Sequence, residues 1–200
     1  STLVGSLFIF YIFKIPTLFL IEQANLYLNN LNDKNIIFLT FMLGGMIGAD
    51  LGGPINKIAY IYGITTLEYG RYDIMGPISV AICIPPLSLG IAQFILKNRF
   101  SKMEREAGAL AIFLGILGIT EGALIYLTKD IKILPITVIS SAIGACSAAI
   151  LHVTSKAPHG GLIVLPLVNN KIEFIISIII GSVAALFLLY FLKPINKKEF

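Results

Sequence analysis

One carboxylate, Glu121, stands in a run of apolar residues, glycine and threonine that extends over residues 107–127. About 20 such residues match the thickness of a bilayer's hydrocarbon core. A charge at that depth costs about 3 kcal/mol on insertion scales, so an intramembrane glutamate is by default a candidate functional group. The alternative is a glutamate that only packs against a neighbouring helix. Gly118 and Gly122 favour function, because they leave room beside the carboxylate and weaken a continuous helix.

A second pair of charges, Asp50 and Lys57, flanks the helix-breaking sequence Gly52-Gly53-Pro54. The apolar segments on either side are too short to span a bilayer comfortably. Irregular backbone is tolerated at membrane depth where protein or a water-filled cavity receives it. The pattern therefore predicts a re-entrant hairpin near residues 36–63. An ordinary surface loop between two spans is the alternative.

The composition is that of an integral membrane protein. Of 200 residues, 56% are hydrophobic and 13% are charged, and the mean hydropathy is +0.88. A soluble domain carries about 25% charged residues. Because the apolar runs are continuous rather than alternating, they predict helices and not a membrane barrel.

The net charge is +4, and the basic residues are clustered in a way that is typical of cytoplasmic loops and not of a nucleic-acid-binding surface. The clusters are Lys97, Arg99, Lys102 and Arg105 in the middle of the chain, and Lys193, Lys197 and Lys198 at its end. Cys83 and Cys146 lie in apolar runs without a CxxC spacing, so no disulfide, metal site or cofactor is predicted.

Three uncharged runs are long enough to span a bilayer, near residues 74–96, 133–151 and 174–192. If both basic clusters are cytoplasmic, an even number of crossings separates them, yet three apolar segments lie between. Residues 107–127 are the candidate for a segment that enters and leaves on one side, because Lys129 and Lys132 follow them. We therefore expect an all-α integral membrane protein, a polytopic helical bundle with re-entrant hairpins that form a transport domain.

Three further features complete the predicted organisation. Residues 1–31 are expected to hold the end of a preceding span and an amphipathic helix at the membrane interface. Small side chains along residues 133–151 suit close helix packing: Ser140, Ser141, Ala142, Gly144, Ala145, Ser147, Ala148 and Ala149. Ser101 and Glu104 fit a capping box for the helix that follows the basic loop.

Four motifs occur in an order that is specific to one family. They are Asp50-Leu51-Gly52-Gly53-Pro54-Ile55-Asn56-Lys57-Ile58-Ala59-Tyr60, Glu104-Arg105-Glu106-Ala107-Gly108, Ile119-Thr120-Glu121-Gly122-Ala123 and Ala157-Pro158-His159-Gly160-Gly161. With them the chain resembles the fructose-type IIC membrane component of the phosphoenolpyruvate-dependent sugar phosphotransferase system. The family has further spans before this point, so the resemblance implies the C-terminal part of a IIC protein, with residues 32–200 as its transport domain and another hairpin near residues 157–168.

The resemblance implies a homodimeric, multi-pass permease of the bacterial inner membrane. Such a permease takes up a hexose, here most simply fructose, and holds it while a phosphorylated IIB component transfers its phosphoryl group. Carried over to this chain, the sugar site consists of Glu121 as the activating carboxylate and Thr120, Asp50, Asn56, Lys57, His159 and Gly160 as binding residues.

Several roles stay open at this point. Glu121 is suited to accept a hydrogen bond from the hydroxyl that is phosphorylated. Lys57 either offsets the charge of the phosphoryl group or pairs with Asp50. His159 either contacts sugar or bonds only backbone. A sugar transporter that works without phosphorylation, and a degenerate fragment with a structural role, are the alternative functions.

Overall fold

The computed structural model describes residues 35–194. The chain divides into a unit at Ser1–Asn35 and a unit at Ile36–Phe200, and the described residues lie almost entirely in the second. The predicted interfacial helix and preceding span at residues 1–31 lie outside the described residues.

The described part is built from eight α-helices. They are α1 (Ile36–Asp50), α2 (Pro54–Glu68), α3 (Tyr72–Ile95), α4 (Lys102–Glu106), α5 (Gly108–Leu117), α6 (Leu124–Lys129), α7 (Ile133–Ile150) and α8 (Lys171–Leu192). Short 3-10 helices occupy Lys97–Arg99, Thr120–Ala123 and Leu162–Leu167. An isolated antiparallel bridge joins Ser155 to Val168.

Three of these helices, α3, α7 and α8, are long and apolar enough to cross a membrane. They coincide with the three predicted spans, and the prediction of an all-α membrane protein is confirmed. Helix α3 lies at the centre and packs against α5, α7 and α8. Its Ile84 side chain fits against Gly144 of α7 and Gly181 of α8, where a larger residue would collide with it.

Two helix–turn–helix pairs lie where hairpins were predicted. The first joins α1 to α2 and extends to Glu68 rather than residue 63, because the helix continues until Gly70 adopts a φ of +74°. The second joins α5 to α6 through Gly118, at φ +78°, and the Thr120–Ala123 turn. That both pairs enter and leave the bilayer on one side stays a prediction.

The directions of the helices define two ends of the bundle. Helix α3 runs toward the loop with Lys97, Arg99, Lys102 and Arg105, and we call that end the basic face. Helix α7 runs away from the basic face, so the segment 155–169 that follows it starts from the opposite face. The α1–α2 pair leads into the beginning of α3 and therefore starts from the opposite face as well, whereas the α5–α6 pair follows the basic loop and starts from the basic face. The turns from both faces therefore point toward each other inside the bundle.

Helix α1 packs closely along α7 because both present small residues. A Cβ atom at Gly44 would lie 2.6 Å from the Ser141 carbonyl oxygen, and one at Gly48 would overlap the Thr137 carbonyl group. The Thr137 hydroxyl donates to the Gly48 carbonyl oxygen at 2.8 Å. The small residues predicted to allow close packing of α7 do so.

Gly48→Ala should lower the stability of the protein, whereas Gly45→Ala should not. The methyl group at position 48 forces α1 away from the α7 backbone, and such overpacking costs about 1–3 kcal/mol. At Gly45 the new methyl group would lie 3.7 Å from Val138, an ordinary contact, and alanine adds about 1 kcal/mol of helix propensity. Thermal unfolding in detergent measures both changes, and equal midpoints for the two variants would contradict the close packing.

A buried ion pair ties the basic loop to the end of α8. Lys193 Nζ lies 2.6 Å from Glu104 Oε1, and each side chain is 5% exposed. The other Glu104 oxygen accepts from the Ser101 amide at 2.7 Å in the predicted capping box, which is confirmed. Lys193 also lies 4.4 Å from the centre of the Phe100 ring, and Arg99 donates to the Lys193 carbonyl oxygen.

Glu104→Gln should destabilise the protein by about 3–5 kcal/mol, because it leaves the Lys193 ammonium group buried without its counter-charge. The double variant Glu104→Gln/Lys193→Met should be more stable than Glu104→Gln alone. Asp73→Asn is the matched control, since the Arg71–Asp73 pair is more than a third exposed and should lose at most about 1 kcal/mol. Denaturation in detergent measures the unfolding free energy of each variant. A loss of stability in Glu104→Gln that is no larger than the loss in Asp73→Asn would contradict the prediction.

Candidate functional site

A cavity of about 370 Å³ lies where the turns from the two faces meet. Its size is within the roughly 300–1,000 Å³ range of small-molecule sites. It is lined by Asn56, Lys57, Tyr60, Ile82, Gly118, Ile119, Thr120, Glu121 and His159. The polar members come from α2, the α5–α6 turn and the 155–169 segment, so three separate parts of the chain build one site.

Glu121 projects into this cavity from the tip of the α5–α6 pair. Lys57 Nζ lies 3.5 Å from Glu121 Oε1, and the Thr120 hydroxyl donates to Oε2 at 3.5 Å. Both distances are at the long limit for hydrogen bonds, so the carboxylate is held loosely. Its side chain is 43% exposed, which means that the glutamate faces the cavity instead of being enclosed by protein.

The backbone of the first turn lies directly against Glu121. A Cβ atom at Gly52 would overlap the Glu121 carboxylate. Gly52 also has a φ of +108°, a conformation that L side chains rarely adopt. Glycine at this position therefore allows both the turn and the approach of the carboxylate.

Asn56 is the most deeply buried polar residue of the cavity wall, at 2% exposure. Its side-chain amide donates to the Ile47 carbonyl oxygen at 2.8 Å and to the Thr120 hydroxyl at 3.4 Å. Thr120 in turn donates to Glu121. A chain of hydrogen bonds thus connects the first hairpin to the glutamate.

Asp50, which was predicted to bind sugar, bonds the backbone of the following helix. Its two carboxylate oxygens accept from the backbone amides of Ile55 at 2.7 Å and Asn56 at 2.9 Å. These amides belong to the first turn of α2, where backbone donors have no helical partner. Asp50 therefore caps α2 and lies outside the cavity lining.

The predicted alternative of an Asp50–Lys57 pair is wrong, because the ammonium group of Lys57 reaches across to Glu121. The carboxylate of Asp50 is directed at the α2 amides, and successive side chains on a helix point in different directions. Asp50 at the end of α1 therefore bonds the backbone of α2, whereas the Lys57 side chain lines the cavity.

His159 links the 155–169 segment to the end of α5. Its Nε2 atom lies 2.8 Å from the Leu117 carbonyl oxygen. Because a carbonyl only accepts, Nε2 carries the hydrogen, and a neutral His159 keeps Nδ1 as an acceptor. The Leu117 carbonyl is one of the groups left without a partner at a helix end. His159 therefore bonds backbone, as one alternative predicted, and lines the cavity as well.

The loop around His159 is fixed by contacts between backbones. The Gly160 carbonyl lies where a side chain on Gly118 would be, and the Gly118 backbone lies where one on Gly161 would be. The Ser79 hydroxyl of α3 donates to the His159 carbonyl oxygen at 2.8 Å. Gly160, which was predicted to bind sugar, lies outside the cavity lining and contacts Gly118 and Ile82.

The structure brings together five of the seven predicted site residues: Asn56, Lys57, Thr120, Glu121 and His159. Sequence reasoning missed the contributions of Tyr60, Ile82 and Ile119 to the lining. Tyr60 follows Asn56 by one helical turn, and this spacing could have placed it on the same face. Within residues 35–194, no group of three His, Cys, Asp or Glu side chains could hold a metal ion.

Lys57 should be energetically coupled to Glu121 and not to Asp50. A double-mutant cycle with Lys57→Met and Glu121→Gln should give about 0.2–1 kcal/mol of interaction energy, because both side chains are about half exposed. A cycle with Lys57→Met and Asp50→Asn should be additive within about 0.5 kcal/mol. Unfolding free energies in detergent provide both values, and coupling in the second cycle alone would restore the predicted pair.

Comparison with known proteins finds relatives whose names agree with one another. A fructose permease IIC component of Bacillus amyloliquefaciens is 34% identical over 173 residues, which are 86% of this chain and 57% of the relative. The fructose-like permease IIC component 2 of Escherichia coli K12 is 35% identical over 174 residues, 86% of this chain and 48% of the relative. The PTS system fructose-specific EIIB'BC component of Rhodobacter capsulatus is 36% identical over 204 residues, 100% of this chain and 35% of the relative.

The chain thus spans between about a third and just over half of the length of these relatives. No family model matches the chain, and no solved structure matches it. The relatives nevertheless agree in name over most of the chain, including the stretch that forms the cavity. Over most of its length the chain is thus similar to part of the fructose-type IIC permease components of the sugar phosphotransferase system.

Proposed function

We propose that this chain forms the sugar-binding part of a permease that takes up a hexose, most simply fructose, and presents it for phosphorylation. The observation behind this proposal is the cavity in which Glu121, held loosely by Lys57 and Thr120, lies between turns from both faces of the bundle. The names of the relatives, which are fructose permease and fructose-specific components, support the choice of substrate.

The groups around the cavity match the chemistry of a sugar. A hexose offers hydroxyl groups that both donate and accept, and the wall provides acceptors in Glu121 and His159 and a donor in Lys57. A carboxylate has about four lone-pair positions, and the two long contacts of Glu121 leave it free to accept from a sugar hydroxyl. Ile82 and Ile119 add an apolar surface for the carbon skeleton.

The proposed role of Glu121 is to orient and activate one hydroxyl of the bound sugar. The phosphoryl donor would be a phosphocysteine on a separate IIB component, so this chain would contribute to a phosphotransferase without holding the phosphoryl group itself. Phosphoryl transfer depends mainly on positioning and charge stabilisation. Lys57, released from Glu121 by the sugar, would offset the charge of the incoming phosphoryl group.

The proposal includes a location and partners. The chain would be a multi-pass component of the bacterial inner membrane, with the basic face in the cytoplasm, where positively charged loops accumulate. A IIB partner would approach that face, and the fused EIIB'BC name of several relatives supports such a partner. We also propose a homodimer, as the resemblance to the family implies.

Glu121→Gln should reduce phosphorylation far more than sugar binding. The substitution keeps the shape and one acceptor oxygen but removes the negative charge. Loss of general-base assistance should lower the phosphorylation rate by about 100-fold or more, whereas affinity should fall by about 1–3 kcal/mol. The assay measures binding of labelled fructose and its phosphorylation on the same membranes, with the complete permease and its phosphorylated IIB partner.

Glu68→Gln is the control for this experiment, because Glu68 is exposed at the far end of α2 and should change neither quantity. Full phosphorylation by the Glu121→Gln variant would refute the activating role. Equal losses of binding and phosphorylation would reduce Glu121 to a binding residue. Uptake by the parent protein that needs no IIB would favour a transporter without phosphorylation.

A further inference from the structure

Tyr60 makes a direct hydrogen bond between two walls of the cavity. Its hydroxyl group donates to the Pro158 carbonyl oxygen at 2.6 Å. Tyr60 belongs to α2 of the first hairpin, and Pro158 belongs to the 155–169 segment. The bond thus joins two parts of the chain that are 98 residues apart in sequence and meet at the cavity.

The position of this bond along the bundle is set by α2. Asn56 and Lys57 lie next to the tip of the hairpin, and Tyr60 follows one turn later, about 5 Å farther along the helix axis. Because α2 runs from the tip toward the face opposite the basic loop, Tyr60 lies on that side of the Lys57–Glu121 pair. The bond therefore lies between the Lys57–Glu121 pair and the opposite face.

The remaining contacts of the same loop run to other elements. Ser79 of α3 donates to the next carbonyl, that of His159, at 2.8 Å, and His159 itself bonds Leu117 at the end of α5. These contacts hold the loop in place when the hydrogen bond between Tyr60 and Pro158 breaks. The Tyr60–Pro158 bond is also partly exposed to solvent, so water is available to replace it on opening.

We propose that the Tyr60–Pro158 hydrogen bond is a latch that closes the sugar cavity toward the face opposite the basic loop. The inference rests on the proposed function, because closure matters only if a sugar enters there. A sugar that arrives from the opposite face needs the latch open. A sugar that waits for phosphorylation at the basic face needs it closed, since otherwise it diffuses back.

The test measures access to the cavity and needs neither sugar nor a phosphoryl donor. Ile119 lines the cavity, so Ile119→Cys in the complete permease supplies a thiol there. Sealed vesicles that present the opposite face are treated with a small, charged, membrane-impermeant methanethiosulfonate. The labelling of the same protein without Ile119→Cys is subtracted, which removes any reaction of other cysteines.

Tyr60→Phe, which deletes only the hydroxyl group, should speed up this labelling by roughly 2- to 10-fold, the equilibrium shift that corresponds to one net hydrogen bond. Tyr69→Phe is the matched control, because Tyr69 is 79% exposed just beyond α2 and should label at the parental rate. Tyr60→Leu, which removes the ring as well, should label faster too and serves if the first variant expresses poorly.

Equal or slower labelling in the Tyr60 variants would overturn the latch. Labelling of the parent at the rate of a freely exposed cysteine would also overturn it, because the cavity would then be open with Tyr60 in place. The outcome is independent of the Glu121→Gln experiment. A failed latch leaves the sugar site intact, and a failed sugar site leaves the access measurement unchanged.

Discussion

Helices that end inside a membrane protein leave backbone groups that water cannot reach, and those groups need partners from the protein. This constraint shapes two of the turns at the cavity. Asp50 accepts from the free amides at the start of α2, and His159 donates to a free carbonyl at the end of α5. Asp50 and His159, two polar residues of the family motifs, thus use hydrogen bonds to stabilise the fold.

Close backbone contact is the second requirement, and glycine meets it. Gly118 and Gly161 let two turns from opposite faces touch, and Gly52 lets the Glu121 carboxylate rest on the first turn. The same principle operates at Gly44 and Gly48, where α1 meets α7. Since lipid provides no hydrophobic force between helices, short distances and many van der Waals contacts must supply the attraction. The motif glycines therefore determine how near the polar groups of the cavity come to one another.

Much of this arrangement could be predicted from the sequence, for physical reasons. Continuous apolar runs gave the three long helices, and polar groups within such runs drew attention to Glu121, Lys57 and Asn56. The direction of the Asp50 carboxylate could not be predicted, because it depends on the exact shape of a turn with two positive φ angles, at Leu51 and Gly52. Tyr60 was missed since a tyrosine in an apolar segment is common, and only the folded chain brings Pro158 to its hydroxyl group.

The buried pair between Glu104 and Lys193 has a consequence for the order in which the protein is made. The two residues are 89 positions apart, and Lys193 directly follows α8. During synthesis Glu104 leaves the ribosome well before its partner, so its carboxylate must stay in water until α8 has been inserted. The basic loop therefore reaches its final packing only after α8 has been inserted.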